Sequence, residues 1–150
     1  MLKDKKIAVS ACLVGINCKY DGSNNFNEKV VKKVVNKNLV LLVCPEIIFG
    51  VKRKKIWYKN GDGKDVLNRN KNAKIVNSDG KNVTFELLNS CKKICNIIKK
   101  YAIKEAILKE RSPSCGVNYV YVDNKLTKGC GLLTAMLKKQ KVKIVSEEQL

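Results

Sequence analysis

Seven cysteines and no histidine limit the chemistry that this 150-residue chain can perform. Because histidine is absent, the sequence excludes Ser-His-Asp triads, Cys-His pairs, mixed Cys/His zinc sites and histidine proton shuttles. Acid–base chemistry must then come from carboxylate, lysine, tyrosine or thiol groups. An odd number of thiols cannot pair completely within one chain, and a reducing compartment keeps thiols free. The composition therefore favours metal ligation or thiol chemistry.

Three of the cysteines follow apolar runs that are typical of buried strands. Cys12 and Cys44 each come directly after such a run, and Cys115 follows a third run at 105–109 across a short loop. Because the carboxyl ends of parallel strands meet at one edge of a sheet, we expect these thiols to converge there. No pair has the Cys-x-x-Cys spacing of a zinc ribbon, so this prediction depends on the topology.

The elements that would position these thiols alternate between strands and helices. The apolar runs and helical spacings predict buried strands at 7–11, 38–43, 105–109 and 142–145, and helices at 28–35, 83–101 and 132–139. This alternation predicts an α/β fold with a mostly parallel, Rossmann-like sheet covered on both faces. We expect one three-layer domain over residues 1–150.

Two further stretches are not expected to belong to this parallel sheet or its covering helices. Residues 49–82 are polar and carry turn signals around a possible short strand at 73–76, which predicts a loop-rich lid or rim. The alternating segment 117–122 predicts one arm of a hairpin.

The charge is strongly basic, with 31 Lys and Arg against 13 Asp and Glu, a net charge of +18. Such a balance can mark a nucleic-acid partner. The lysines are, however, scattered over every segment, and a basic balance by itself identifies no site. We interpret the charge mostly as background, with the basic residues at 52–55 attracting anionic or electron-rich substrates.

Composition also bears on the class of protein and its location. With 45% hydrophobic and 29% charged residues, the chain has the composition of a globular protein and not of a disordered tail. No stretch of about eighteen apolar residues is present. Together with the free thiols, this predicts a cytoplasmic protein with no membrane partner.

Five motifs along the chain resemble those of one family. They are Ser10–Gly15, Tyr20–Gly22, Val43–Glu46, Ile107–Gly116 and Ser146–Glu148. In this order they resemble the thiouracil desulfurase (desulfidase) family of short bacterial and archaeal proteins, formerly a domain of unknown function. The likeness extends from Val9 to Glu148.

The resemblance implies an iron-sulfur enzyme. In that family three cysteines hold a 4Fe-4S cluster, one iron keeps an open position, and sulfur is removed from a thiocarbonyl without net redox. Carried onto this sequence, the ligands are Cys12, Cys44 and Cys115, and the substrate is a small thiolated nucleobase such as 2-thiouracil. Thiolates suit iron-sulfur clusters, and a missing fourth ligand leaves a Lewis-acidic iron for a soft sulfur atom. Water would supply the oxygen, and the sulfur would leave as hydrogen sulfide.

The attacking water needs a base, and Glu46, two residues after a proposed ligand, is the best-placed candidate. The resemblance assigns the same role to the Glu of the Cys-Pro-Glu motif. A hydroxyl from Ser112 or Ser114 would hydrogen-bond or protonate the substrate ring, with Ser112 favoured. Alternatively, Glu46 is a solvated or helix-capping charge. Ser112 and Ser114 could likewise be ordinary turn or cap residues.

The sequence departs from the family pattern at several points. The stretch 50–54 keeps a glycine and an arginine but lacks the usual proline. Cys18 stands where relatives often have an apolar residue, and it is either an incidental thiol near the site or a reserve ligand. Cys91 and Cys95, four residues apart on one helix face, are expected in the core. Cys130 is expected to pack, while its flanking glycines would allow the backbone to approach a bound anion or ring.

Two other functions remain open at this stage. The same thiols could hold zinc or a labile cluster in a non-catalytic redox protein, which metal analysis and an absorbance spectrum would separate from an enzyme. A nucleic-acid module acting on thiolated RNA is the second alternative. Single-strand binders use clusters of stacking aromatics, and Trp57 and Tyr58 are the only adjacent aromatic pair.

Overall fold

The computed structural model of the protein describes residues 5–46 and 54–150. The strands are β1 (Lys6–Ser10), β2 (Leu39–Val43), β3 (Ile56–Lys59), β4 (Lys74–Asn77), β5 (Glu105–Leu108), β6 (Tyr119–Val122), β7 (Lys125–Lys128) and β8 (Lys143–Ser146). The α-helices are α1 (Glu28–Val34), α2 (Gly63–Leu67), α3 (Thr84–Lys100) and α4 (Leu132–Lys139). Short 3-10 helices, Ala11–Val14 and Glu147–Gln149, directly follow β1 and β8.

The first sheet has the order β2-β1-β5-β8, and all its neighbouring strands are parallel. Helix α1 makes the crossover between β1 and β2, with Asn27 as its N-cap accepting the Val30 N–H. The predicted α/β fold with a mostly parallel sheet is confirmed. Because the four strands run the same way, the segments that follow them all leave the sheet at one edge.

Strand β2 differs from its prediction. Its apolar sequence predicts a strand buried on both faces, but Leu42 is 43% exposed and Val43 alone within β2 is classed as buried. β2 is more exposed because it lies at the edge of the sheet, where no strand among the described residues pairs with its outer side.

The second sheet has the order β4-β3-β6-β7 and joins two antiparallel strand pairs, β3 with β4 and β6 with β7, through the parallel pair β3 and β6. The strand predicted at 73–76 and the hairpin arm predicted at 117–122 are both confirmed. Much of the described part of 49–82 is loop, as expected, but it also contains β3 and α2, which the sequence did not predict. Strand β3 was missed because it is four residues long and one of its partners, β6, lies far along the chain.

Apolar residues pack on both faces of the first sheet, as the two-residue period of a strand requires. Ile7 and Val9 belong to the cluster under α1, whereas Ala8 between them belongs to the larger cluster. That larger cluster also holds Tyr58 of the second sheet and Leu87 of α3. The parallel sheet thus lies between two apolar layers. This packing holds in place the edge at which the segments after its strands leave the sheet.

Candidate active site

A cavity of about 720 Å³ lies where the strands of the first sheet end. Its wall includes every site residue predicted from the sequence, namely Cys12, Cys44, Cys115, Glu46, Ser112 and Ser114. These residues come from three segments that are far apart in the chain. The parallel topology brings the three segments together, as expected from the strand ends.

The first segment turns sharply after β1. Cys12 lies in the 3-10 helix that follows this strand and is half-buried. Gly15 ends that helix in a left-handed conformation with φ of 95°, which glycine adopts without strain. The Asn25 N–H donates to the Cys12 carbonyl at 3.0 Å. The thiol is therefore carried on a short, fixed turn.

The second segment follows the edge strand β2. Cys44 comes directly after the last strand residue, Pro45 is buried, and Glu46 is half-buried on the cavity wall. The Cys44 thiol donates to the Cys18 carbonyl at 3.7 Å. Proline ends the strand, so the thiol and the carboxylate are presented at the sheet edge instead of continuing into it.

The third segment is the loop after β5, and a buried carboxylate organises it. Glu110 is 2% exposed, and its Oε1 accepts the backbone N–H groups of Val117, Asn118 and Tyr119 at 3.0, 2.8 and 3.0 Å. Burial acts to raise the pKa of this carboxyl, but these donors together lower it below its ordinary value of 4.5. Glu110 therefore stays ionised and fixes the loop that carries Cys115.

The second sheet and the start of helix α4 also contact the loop that carries Cys115. The buried Tyr58 hydroxyl donates to the Pro113 carbonyl and accepts the Leu132 N–H at 2.9 Å. Gly131 packs so closely that a Cβ there would lie 2.4 Å from the Ser114 carbonyl oxygen. The glycines around Cys130 were expected to admit a ligand, but at Gly131 the close neighbour is the backbone of this loop.

Three hydroxyls surround the Cys115 sulfur and its loop. The Ser114 Oγ lies 3.7 Å from the Cys115 Sγ, and the side chain of Ser10 also hydrogen-bonds to this thiol. The Ser112 Oγ accepts the Cys115 N–H at 3.2 Å and lies 3.4 Å from the Ser114 Oγ. Hydroxyl donors of this kind stabilise a thiolate.

The cavity gives its thiols different acidities. Burial is the main cause that raises the pKa of Cys115 to about 12, against the opposing hydroxyls of Ser10 and Ser114. Cys12 behaves in the opposite way: a hydrogen bond with Cys18 is the main cause that lowers its pKa from 9.0 to about 7. Cys18 is the partner that keeps its proton, so its own pKa is raised.

A partly buried ion pair lies beside these thiols. Lys109, the residue after β5, lines the cavity, and its Nζ lies 3.1 Å from Glu147 Oε2. Glu147 comes directly after β8 and is 8% exposed. Farther along the same loop, Arg111 pairs with the exposed Glu148. The edge of the sheet therefore carries fixed cations as well as thiols.

Comparison with known proteins decides the family. A family model described as 2-thiouracil desulfurase matches residues 7–149. The chain belongs to the 2-thiouracil desulfurase family. It is 36% identical over 149 residues to the Bacillus subtilis (strain 168) protein named "Uncharacterized protein YbbK", covering 96% of this chain and 97% of that protein.

A solved structure supports the same assignment. The fold is similar to that of the [4Fe-4S]-dependent thiouracil desulfidase TudS, with a TM-score of 0.79 and 28% sequence identity over 97% of this chain and 93% of that one. The family and this structural neighbour together make the chain an enzyme that acts on carbon–sulfur bonds.

The cavity also contains residues to which the sequence analysis gave no definite role. Cys18 is buried and lines it with the three proposed ligand thiols, and Ser10, Lys109 and Asn25 also lie on its wall. The signal for Ser10 and Lys109 was present, because both lie inside motifs that carry the family resemblance. Their contacts depend on which strands are neighbours, which the sequence alone does not state.

The other cysteines of this family member lie in the core, as expected. Cys91 and Cys95 are 0% and 2% exposed in the cluster under α3. Burial raises the pKa of Cys95 to about 11 and that of Cys91 well above its ordinary value. Cys130 is buried too, and its N–H donates to Asp62 Oδ2 at 2.9 Å.

The departure from the family pattern at 50–54 and the absence of a membrane span can be compared only with the described residues. Of the stretch 50–54 that departs from the family pattern, residues 50–53 lie outside the described residues. Among the described helices, none is long and apolar enough to cross a membrane.

Proposed function

We propose that this chain replaces the sulfur of a small thiolated nucleobase, such as 2-thiouracil, with oxygen from water. The carbon–sulfur bond breaks, a carbon–oxygen bond forms, and both protons of the water leave with the sulfur as hydrogen sulfide. No electron is gained or lost, so the reaction is a hydrolysis. The observation that carries the proposal is the placement of three chain-distant thiols and a glutamate on the wall of one cavity.

The donor set fits a 4Fe-4S cluster held by Cys12, Cys44 and Cys115. Three thiols from distant segments lie on one cavity wall, and thiolates are the ligands that iron-sulfur clusters take. When bound, the cluster would supply a Lewis-acidic iron without a protein ligand, which polarises the carbon–sulfur bond.

Glu46 is proposed to take the proton from the attacking water. It is half-buried on the cavity wall, two residues after Cys44. The other glutamate on this wall, Glu110, already accepts several backbone N–H groups and has a lowered pKa, which makes it a poor base.

The two loop serines have different surroundings, which supports different roles. Ser114 is 1% exposed and its hydroxyl lies against the Cys115 sulfur, so it suits thiolate stabilisation. Ser112 is half-buried, and its Oγ accepts the Cys115 N–H, so its hydroxyl can donate either to the Ser114 Oγ or to a bound ring. We therefore propose Ser112 as the group that donates to the substrate ring.

The remaining wall suits a planar base. Val43, Ile56, Trp57 and Tyr121 provide apolar and aromatic surface beside the polar groups. Such a combination is typical of small-molecule sites, where apolar walls exclude water and a few polar groups fix orientation.

We further propose that residues 1–150 act as one domain in the cytoplasm, where free thiols and a cluster survive.

The test is anaerobic reconstitution with iron and sulfide, followed by incubation with 2-thiouracil, 4-thiouracil and other thiolated bases in ¹⁸O-labelled water. We expect a brown protein that releases one hydrogen sulfide per oxo-base without added reductant, with ¹⁸O in the product. Cys115→Ser, treated identically, is the control and should release none. A cluster-loaded protein that releases no sulfide from any base would contradict the proposal.

A further inference from the structure

The ammonium group of Lys109 is held in place on the cavity wall. Its Nζ donates to the Glu110 carbonyl at 2.7 Å and lies 3.1 Å from Glu147 Oε2. The second oxygen of Glu147 accepts the Glu110 N–H at 2.6 Å, so both oxygens of this carboxylate are engaged. The Lys109 side chain is 20% exposed. A lysine with so little freedom acts as a fixed charge.

The number of donors is informative. An ammonium group has three N–H donors. Among the described residues, two acceptors contact Lys109 Nζ, the Glu110 carbonyl and the Glu147 carboxylate. Lys109 lies on the wall that also carries Cys12, Cys44 and Cys115. These two acceptors leave at least one N–H donor of the ammonium group unused.

Joining two strands does not require this ion pair. Strands β5 and β8 are already paired over four residues, from Glu105 with Lys143 to Leu108 with Ser146. Removing two charges from water is costly, and a buried pair is often no more stabilising than apolar residues of similar volume. A fixed cation at the thiol site therefore calls for a functional role.

We propose that Lys109 is a product-anion position of the active site that holds hydrosulfide, and that Glu147 is the positioning residue that keeps its ammonium on the wall. This rests on the proposed function, which makes sulfide the leaving group. While Glu46 holds one proton of the attacking water, the sulfur leaves as hydrosulfide, and a preorganised cation offsets its repulsion by the nearby thiolates. Hydrogen sulfide forms when that proton is returned to the sulfur. A single ammonium charge matches a small, monovalent anion.

The test measures hydrosulfide affinity and not turnover. Cluster-loaded proteins of equal iron content are titrated anaerobically with sodium hydrosulfide, and binding is followed in the absorbance spectrum of the cluster. Lys109→Met should weaken binding about tenfold, equivalent to about 1.4 kcal/mol. Lys109→Arg should retain most of the affinity, and Glu147→Gln should lose several-fold.

A matched control is Lys37→Met, because Lys37 is 21% exposed, is ion-paired with Glu105 at 3.6 Å and does not line the cavity. This variant should bind hydrosulfide like the wild type. Thermal unfolding of each variant shows whether it folds. If Lys109→Met does not fold, Glu147→Gln carries the comparison, and failure of both to fold would show that the pair is structural and overturn the proposal.

The outcomes separate this proposal from the proposed function. Equal affinity in folded Lys109→Met and wild type, with sulfide still released from thiolated bases, would overturn the Lys109 assignment alone. A wild type that binds hydrosulfide through Lys109 but desulfurises no base would contradict the proposed function alone. A wild type that assembles no cluster would overturn both.

Discussion

Two glutamates line the cavity, and their surroundings separate their roles. The Glu110 carboxylate is buried and its hydrogen bonds hold the loop of Cys115, so its work is structural. Glu46 follows Cys44 at the sheet edge and is half-buried. The same residue type therefore serves as an anchor in one place and as the proposed base in the other.

The base assignment predicts that Glu46→Gln keeps the cluster and loses turnover. The amide has nearly the same shape but cannot accept a proton from water, and removing a general base typically costs about 10²–10⁴-fold in rate. Iron content and sulfide release are measured on the same preparation. Desulfurisation at the normal rate across the pH range would remove Glu46 from this role.

Glu110 gives a prediction about acid stability. Its pKa is lowered in the folded protein from an ordinary value of 4.5, so folding favours the ionised form. The stabilisation is fully present above pH 4.5 and is lost as the pH falls through the folded pKa. Urea unfolding between pH 3 and pH 7 should show this loss in the wild type and a smaller pH dependence in Glu110→Gln. Identical pH profiles would contradict the assignment.

At the scale of elements, the Cys115 loop depends on the second sheet through one tyrosine. Tyr58 of β3 bridges the Pro113 carbonyl and the Leu132 N–H at the start of α4. Tyr58→Phe leaves both buried groups without this partner, which should cost about 1–3 kcal/mol of unfolding free energy.

Tyr119→Phe is the matched control for this prediction, because Tyr119 is 44% exposed and should tolerate the loss of its hydroxyl. Chemical denaturation of both variants gives the comparison. We also expect Tyr58→Phe to retain less iron after reconstitution. Equal stability of the two variants would show that the bridge does not support the loop.

The sequence predicts all four strands of the first sheet but misses β3 and β7 of the second sheet, for a physical reason. Strands β1 and β5 are runs of apolar residues buried on both faces, which a sequence displays directly. Strand β3 is four residues long, and its partner β6 is far along the chain, with Tyr58 opposite Val122. Such a pairing has no local signal.

The candidate site likewise contains residues that the sequence predicts and contacts that it does not. Cys12, Cys44 and Cys115 were predictable because each follows a strand, and parallel strand ends meet at one edge. The contact of Lys109 with Glu147 could not be predicted, because it requires β5 and β8 to be neighbours in the sheet. Whether Cys18 would lie beside Cys12 and Cys44 was also open until the loop after β1 was seen.

At the scale of the whole molecule, the net charge of +18 raises the question of substrate size. Part of this charge lies on the cavity, where Lys19, Lys55 and Arg111 join Lys109. A protein that bound RNA through many phosphates would lose affinity steeply as salt rises. A small base makes few such contacts.

We therefore expect turnover of a free thiolated base to change little between low and physiological salt, and thiolated tRNA to keep its sulfur. Sulfide release from both substrates over a salt series measures this. Preferential, salt-sensitive desulfurisation of the tRNA would replace the small-molecule assignment while leaving the thiol site unchanged.

The central claim is that this fold gathers three distant thiols into one cluster site, and iron content tests it most directly. Wild type and single-cysteine variants are reconstituted under matched anaerobic conditions, and bound iron is measured for each. Cys12→Ser, Cys44→Ser and Cys115→Ser should each lose most of the iron, whereas Cys91→Ala and Cys95→Ala, in the core, should retain it. Full iron retention in any of the three serine variants would contradict the account.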